Sequence, residues 1–379
     1  RLTKIERTDS ASVFITRTTM RYDSAGNVIA RGDAYGNEIA LLYDLENRLI
    51  RITDAEGNYI RYSLNNLNQR IKTEYFKTGD ILARESSSVF DVLDRQTQLV
   101  GALGQTTTFT YDAVGNRTTA TDALSRPSTK YAYNSLSQLI SVKDATYNIE
   151  RDNQTRYQYD DRDRLTHVTD PRGLTTQYQY NELGQLRYLM SPDTGTAEYT
   201  YDLAGNRETQ KDARNITVAY SYDELNRISG KTYPTATLNV TYTYDQRTNG
   251  LGKLTGMSDA EGSNEYDYDE YGNLRESRRT TSGQTYTTQY AYDLNDRLTS
   301  ITYPSGRVVT YNRNTLGQVT SVTTTPNGGA QETVASGITY IPFGALEDMT
   351  FGNAILLDQT CLLYTSDAAD DDTIVWGSG

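Results

Sequence analysis

The residues able to do chemistry are few or many times repeated. His167, in THVT, is the single imidazole, and the single Cys lies in the last nineteen residues. A catalytic histidine needs a positioned partner, and no nucleophile elbow of the G-x-S-x-G kind occurs, so His167 reads as a strand surface residue. DYDEYG (267–272) begins like a calcium loop, but its fifth position is Tyr271 and its twelfth is Arg278, where a bidentate Glu belongs. Gly250, Gly252, Gly256 and Lys253 fit neither a phosphate loop nor a dinucleotide fingerprint and read as an insertion in a turn. Four Asn-x-Thr triplets, starting at Asn116, Asn153, Asn215 and Asn239, are chance matches in an Asn- and Thr-rich chain. What remains is an aspartate that returns behind a tyrosine all along the sequence, as in YTYDLAGN (199–206). Carboxylates paired across a sheet could act as acid and base. Near-identical copies would be redundant for catalysis, whereas one turn per copy needs one Asp. No catalytic residue, cofactor or metal is expected.

Composition supports an architectural reading. The 379 residues carry a net charge of −12, 32 Tyr against 6 Phe, and only 36% apolar residues with Tyr included. A large dry core is hard to assemble from these, while Tyr, Thr, Asn, Asp and Gly suit short strands and tight turns. The acidic balance argues against nucleic acid and anionic membranes, both of which reward clustered Lys and Arg. No apolar run approaches the ~18 residues of a membrane span. One cysteine excludes a disulfide framework and Cys-based metal sites.

Residues 361–379 depart from everything before them. CLLYTSDAADD (361–371) resembles a translated sequencing adapter, and the only Cys and only Trp both lie in this stretch. It is read as a non-native tail; discounting it removes four acidic residues and leaves a net charge of −8. With RLTKIERTDS at the front, the authentic chain is then expected to be an internal fragment.

Aligned against itself, the chain shows fourteen copies of an aromatic followed by Asp, Asn or Ser, beginning at Tyr22, Tyr43, Tyr62, Phe90, Tyr111, Tyr133, Tyr159, Tyr180, Tyr201, Tyr222, Tyr244, Tyr268, Tyr292 and Tyr311. Steps near 21 residues dominate, with extremes of 19 and 28. The first half of each copy runs Y-x-Y, then D-x-x-G-N or D-x-x-x-R; the second is a short apolar stretch entering a second turn, as in GDAYGN (32–37), TDAEGN (53–58), TDALSR (121–126) and TDPRGL (169–174). The repeat is carried by Tyr22, Asp23 and Gly26; Tyr43 and Asp44; Tyr111, Asp112 and Gly115; Tyr159 and Asp160; Tyr180 and Gly184; Tyr199, Tyr201, Asp202 and Gly205; Tyr220, Tyr222 and Asp223; Tyr244 and Asp245; Tyr268, Asp269 and Gly272; and Tyr292 and Asp293.

Each half has a physical reading. Residues two apart share a strand face, so Tyr199 and Tyr201 point the same way. The Asp accepts backbone N–H bonds from two or three residues on. Gly three residues later supplies the left-handed conformation of a three-residue hairpin loop with a bulge. Where Gly is replaced, Asn or Asp takes its place, as in YDLENRL (43–49) and YDLNDRL (292–298), and both tolerate that conformation. Asn206 is expected to begin the return strand. Two strands and two turns fill about 21 residues, so the chain should be all-β, an antiparallel hairpin meander rather than a parallel solenoid. Tyrosines of adjacent units should stack into a ladder, each pair adding roughly 0.2–1 kcal/mol, with hydroxyls wet or hydrogen-bonded.

These units resemble the Rhs/YD-repeat family of large bacterial proteins, to which the teneurin barrels are related, over about Arg21 to Phe351. The resemblance implies a curved spiral sheet that forms part of a hollow shell around a C-terminal toxin or effector domain, in a protein secreted from or displayed on a bacterium. The implied partner is that C-terminal domain, absent here, with no nucleic acid and no membrane span. The family's DPxG-type closing motif and aspartate self-cleavage site are not found: TDPRG (169–173) lies mid-array, and YIPFG (340–344) and TFGN (350–353) look like phrases late in such arrays. The chain divides into a truncated repeat portion (1–20), the array (21–351), the end of the array (352–360) and the tail (361–379). The alternative function is a cell-surface adhesion or carbohydrate-binding array in which exposed tyrosines stack on glycans, with multivalency amplifying weak sites.

Overall fold

A computed structural model describes residues 1–8, 14–124, 128–144 and 153–358. The adapter-like tail and the last residues of TDALSR lie outside the described residues. Within them are 32 strands, one short 3-10 turn at Ala236–Leu238 and no α-helix. Every strand pairs antiparallel with its successor, so the chain is one uninterrupted meander of a single sheet. The solenoid alternative is excluded by that order.

The sheet is one layer thick over most of its length. Among the described residues seven apolar ones are buried, including Tyr59, Ile60, Tyr62 and Phe76 of one hairpin, where Tyr59 and Phe76 stack at 4.5 Å. The accessible surface is 23664 Å², against roughly 15,000 Å² for a compact monomer of 42.5 kDa. Backbone ladders and loop hydrogen bonds must therefore carry what a core carries elsewhere. Alternation along the strands matches the sequence reading. In Gly195–Tyr201 and Thr217–Tyr222, the tyrosines are half-buried and the intervening Thr200 and Ser221 are exposed.

The sheet coils back on itself. Asn295 Nδ2 donates to Asp33 Oδ2 at 2.8 Å, 262 positions away, and the Ala34 N–H donates to Asn295 Oδ1 at 3.0 Å. The Leu294 N–H donates to the Tyr35 hydroxyl, Thr315 Oγ1 donates to Glu56 Oε1, and Lys77 pairs with Glu347 at 3.0 Å. In each contact an early unit offers its second-half edge and a late unit offers its Asp-loop edge. Between the two loops lie 23 strand-to-strand steps, from the third strand to the twenty-sixth. At about 4.8 Å per step one lap is roughly 110 Å, a ring roughly 35 Å across.

Candidate functional site

The repeated loop is built the same way in copy after copy. In strand Gly195–Tyr201 and its return Arg207–Lys211, Thr200 faces Thr209 but Tyr201 faces Arg207, which places a bulge at the mouth of the loop. The Asp202 N–H donates to the Asn206 carbonyl at 2.9 Å, and the Gly205 N–H donates to the Asp202 carbonyl at 3.1 Å. Gly205 has φ 88°, and Gly26, Gly115, Gly184 and Gly272 are likewise left-handed. Asn47, Asn226, Asp163 and Asp296 adopt the same conformation where Gly is absent. This is the three-residue bulged hairpin the spacing predicts.

The aspartate does more than accept from two or three residues on. Asp202 Oδ1 takes the N–H groups of Ala204 and Asn206, and Oδ2 takes Asn206 Nδ2. Asp44, Asp112, Asp160, Asp223, Asp269 and Asp293 repeat the pattern, with Asn or Arg as the fourth residue on, and Asp23 does so with the Gly26 N–H in place of the one two residues on. Asn206 therefore closes the loop, and the return strand begins at Arg207. The side-chain bond from Arg164 and two backbone N–H donors hold Asp160 down to about 2, against an ordinary 3.8. Asn206 likewise holds the Asp202 carboxyl below its usual range.

A pairing rule emerges at the two ends of the loop. Where the first residue is Asp, the fourth residue on is a donor, Asn or Arg, in the copies just named. Where the first residue is Asn, at Asn65, Asn134, Asn181 and Asn314, the fourth residue on is Gln, and Asn Nδ2 donates to Gln Oε1. The reason is chemical: Asn Oδ1 is used by backbone N–H groups, so its remaining atom is a donor and needs an acceptor. The rule is written in the sequence, but it shows only once the carboxyl oxygens are assigned separately.

The fourth residue also reaches the next unit. Asn27 Nδ2 donates to Asn47 Oδ1 and Asn206 Nδ2 to Asn226 Oδ1, each at 2.8 Å. Gln138 Nε2 donates to Asp163 Oδ1, and Asn273 Nδ2 to Asp296 Oδ1. Where it is Arg, the guanidinium crosses to the next loop's first residue, Arg95 to the Asp112 carbonyl and Arg164 to the Asn181 carbonyl. Asp245 departs from the pattern. It is itself left-handed, its N–H spans the insertion to the Lys253 carbonyl, and its carboxylate accepts from Gly252 N–H and Arg227.

The tyrosine before most loops is a tether. The hydroxyls of Tyr43, Tyr111, Tyr159, Tyr180, Tyr201, Tyr222, Tyr244 and Tyr292 donate to the carbonyl that opens the return strand of the preceding unit, as Tyr201 does to Leu186 at 2.8 Å. Tyr268 reaches Leu254 after the insertion, and Tyr22 reaches the Leu2 carbonyl. Phe could not make this bond, which explains the excess of Tyr. Burial pushes the Tyr201 hydroxyl above its usual range.

The tyrosine ladder is corrected. Equivalent tyrosines of successive units sit two strands apart, about 10 Å, beyond ring stacking distance. The strand between them fills the gap with a cation. Arg207 lies over Tyr199 at 5.9 Å and over Tyr220 at 4.6 Å, and Arg117 lies between Phe109 and Tyr131. Tyr220 also donates to Gln210 Oε1.

The phase of two copies is corrected as well. The third loop opens at Asn65 and the fourteenth at Asn314, so the tether positions are Leu64 and Arg313, not Tyr62 and Tyr311. Counted from the loop's first residue the steps run 21, 21, 26, 21, 22, 26, 21, 21, 21, 22, 24, 24 and 21, and the 19-residue steps vanish. Arg313 donates to the Leu298 carbonyl at 3.0 Å, the acceptor a tyrosine would use. A further unit follows: Tyr340 donates to the Val319 carbonyl, and Ile341 and Gly344 make the loop's two backbone bonds. Sequence reasoning left YIPFG out of the count because Ile stands where Asp was required. Residues 352–358, expected as the end of the array, complete one more hairpin on strand Asp348–Phe351.

His167 lies on strand Leu165–Thr169 beside the Thr166 hydroxyl. Among the described residues, no group of three or more His, Cys, Asp or Glu is placed to hold a metal ion. No helix among them is long and apolar enough to cross a membrane.

Comparison with known proteins agrees with this geometry. Residues 88–249 match the Teneurin YD-shell family, and residues 268–308 and 292–330 match the RHS Repeat. No curated protein matches the chain. Among solved structures it is similar to TcdB2-TccC3-Cdc42, at 15% identity and a TM-score of 0.69, covering 94% of this chain and 20% of that one. TcdB2-TccC3 without hypervariable C-terminal region aligns at 16% identity and a TM-score of 0.67, covering 93% and 20%. The Photorhabdus luminescens Tc holotoxin pore with a TccC3 mutation aligns at 16% and 0.66, covering 94% and 20%. The chain thus spans about a fifth of the solved chains it matches, and at these identities the likeness establishes the fold. A bulged Asp loop, a tyrosine tether into the preceding hairpin and an unbroken meander, together with the matches to the Teneurin YD-shell and RHS Repeat families, show that the chain belongs to the Rhs/YD-repeat family.

Proposed function

We propose that this chain is a wall segment of a shell that encloses a C-terminal toxin or effector domain of the same protein, in a protein secreted by or displayed on a bacterium. The observation that carries the reading is the return of the sheet onto itself through Asp33 and Asn295. A sheet that meets its own edge after one lap bounds a space, which a flat adhesive array has no need to do. The one-layer wall fits the same role, since it surrounds volume with little chain. The description of one matched structure as lacking a hypervariable C-terminal region supports separate wall and cargo parts in that protein, and by analogy here. The role assigned to the wall is mechanical, and its residues take no part in chemistry on the cargo.

The test is protease protection. The wall is expressed together with the coding sequence that follows residue 358 in its gene, and the intact product is digested. A downstream domain that survives in the native product and is cut once the wall is unfolded supports enclosure. A downstream domain cut at equal rates in both states sinks it. Negative-stain images of the wall should show a hollow ring; a flat or rod-like particle argues against a shell.

A further inference from the structure

Asparagine followed by glycine is a step at which a chain can modify itself. The backbone nitrogen after the asparagine can attack the side-chain carboxamide, and a glycine there puts no side chain in the way and leaves the backbone free to turn. The sequence holds two such steps, Asn249-Gly250 and Asn327-Gly328. The fold treats them in opposite ways.

The first is locked. Asn249 is left-handed at φ 61°, and its Nδ2 donates to the Tyr268 carbonyl at 3.3 Å. Gly250 is buried; its N–H donates to the Arg247 carbonyl at 3.2 Å, and its own carbonyl accepts from the Lys253 N–H at 2.9 Å. A Cβ on Gly250 would run into the Gln246 carbonyl, so this peptide has no room to swing toward the carboxamide.

The second is open. Asn327 lies in the second-half loop between strands Val319–Thr325 and Glu332–Ser336, where the Gly329 N–H closes a turn onto the Pro326 carbonyl at 2.9 Å. That bond skips Gly328, whose N–H has no partner among the described residues. Nothing stands within 4 Å of where a Cβ on Gly328 would be. Both residues are exposed, and the Asn327 carboxamide rests only against Gly306 of the preceding second-half loop. The asparagines that close the Asp loops have neither freedom: Asn206 Nδ2 donates to Asp202 and Asn226, and the residue after it is Arg207.

We infer that Asn327 is a site of spontaneous covalent modification, at which the carboxamide is lost. The Gly328 nitrogen gives its proton to solvent base and bonds to Asn327 Cγ; the Cγ–Nδ2 bond breaks and Nδ2 leaves as ammonia. Water then opens the cyclic imide at either carbonyl, which leaves aspartate or isoaspartate at position 327. Water enters and ammonia departs, so the step needs no oxidant and no cofactor, and the chain gains one negative charge. The isoaspartate product lengthens the backbone of the turn beside the Thr324–Glu332 pair that ends this ladder. The inference concerns the second-half edge and holds whatever the wall surrounds.

Peptide mapping by mass spectrometry, on the full chain aged at mildly alkaline pH, tests it. In the folded protein Asn327 should convert about tenfold or more faster than Asn249, with isoaspartate among the products. In urea the two sites should convert at similar rates, because neither then has a fold to lock it. Asn327→Gln should remove the leading acidic species from isoelectric focusing of aged protein; the position is exposed, so the far-UV circular dichroism spectrum should not change. Equal rates at the two sites in the folded protein, or a difference that persists undiminished in urea, overturns the inference. So does an acidic species that survives Asn327→Gln, which would place the reaction elsewhere.

Discussion

At the scale of single residues, the loop works by assigning each polar atom one partner. Asp160 makes the case: Oδ1 holds two backbone N–H groups and Oδ2 holds Arg164. Asp160→Asn sets a donor against a donor, so amide exchange in the flanking strands should quicken. Adding Arg164→Gln should restore protection, because the pair then becomes the Asn–Gln combination found in four other loops. Failure of that rescue would discard the pairing rule. Tyr201→Phe removes one hydroxyl-to-carbonyl bond and should cost about 1 kcal/mol locally, read as faster exchange near Leu186; unchanged exchange there would deny the tether. The depressed carboxylates set the pH dependence. A group held at about 2 against 3.8 contributes its stability above the higher value and loses it as pH falls through the lower one. The loops should hold at pH 5 and loosen together between about pH 4 and 2, which circular dichroism across that range checks.

At the scale of the element, the hairpin asks for a left-handed residue before its closing Asn, Arg or Gln. Gly205→Val should destabilise its hairpin by roughly 1–2 kcal/mol, since β-branched residues resist φ near 88°. Gly205→Asn should be neutral or favourable. Its side chain would meet Gln185 Nε2, which lies 3.4 Å from where a Cβ would stand, and so recreate the inter-unit bond seen at Asp94 and Asp163. Limited proteolysis within 202–206 distinguishes the two variants, and equal cutting would contradict the backbone argument. At this scale the sequence was most legible. Strand alternation, the bulge and the Gly-to-Asn exchange all follow from local sterics and appear in the spacing. What stayed hidden depends on the neighbouring strand: the tyrosine's acceptor, the arginine between the rings, and the phase of the copies at Leu64 and Arg313. Periodicity along one strand carries no information about which side chain from the next strand fills a gap.

At the scale of the whole molecule, a small set of polar contacts fixes the lap. Asp33 with Asn295, Glu56 with Thr315 and Lys77 with Glu347 join the two edges. Asn295→Ala together with Lys77→Ala should open the seam without unfolding the strands. Small-angle scattering should then report a larger radius of gyration at unchanged β content; an unaltered radius would mean that the strand twist alone sets the curvature. None of this closure was readable in the sequence, because residues more than 250 positions apart meet only after many small rotations have accumulated.

That seam also makes the calibre of the wall countable. With 23 strand steps to a lap, gaining or losing one hairpin changes the circumference by about 10 Å and the diameter by about 3 Å. Every seam contact beyond the change would meet a different partner. Duplication of a repeat unit is therefore never silent in such a protein: it resizes the vessel and reassigns its closure at once. Near-identical loops on both edges are what let the vessel survive that.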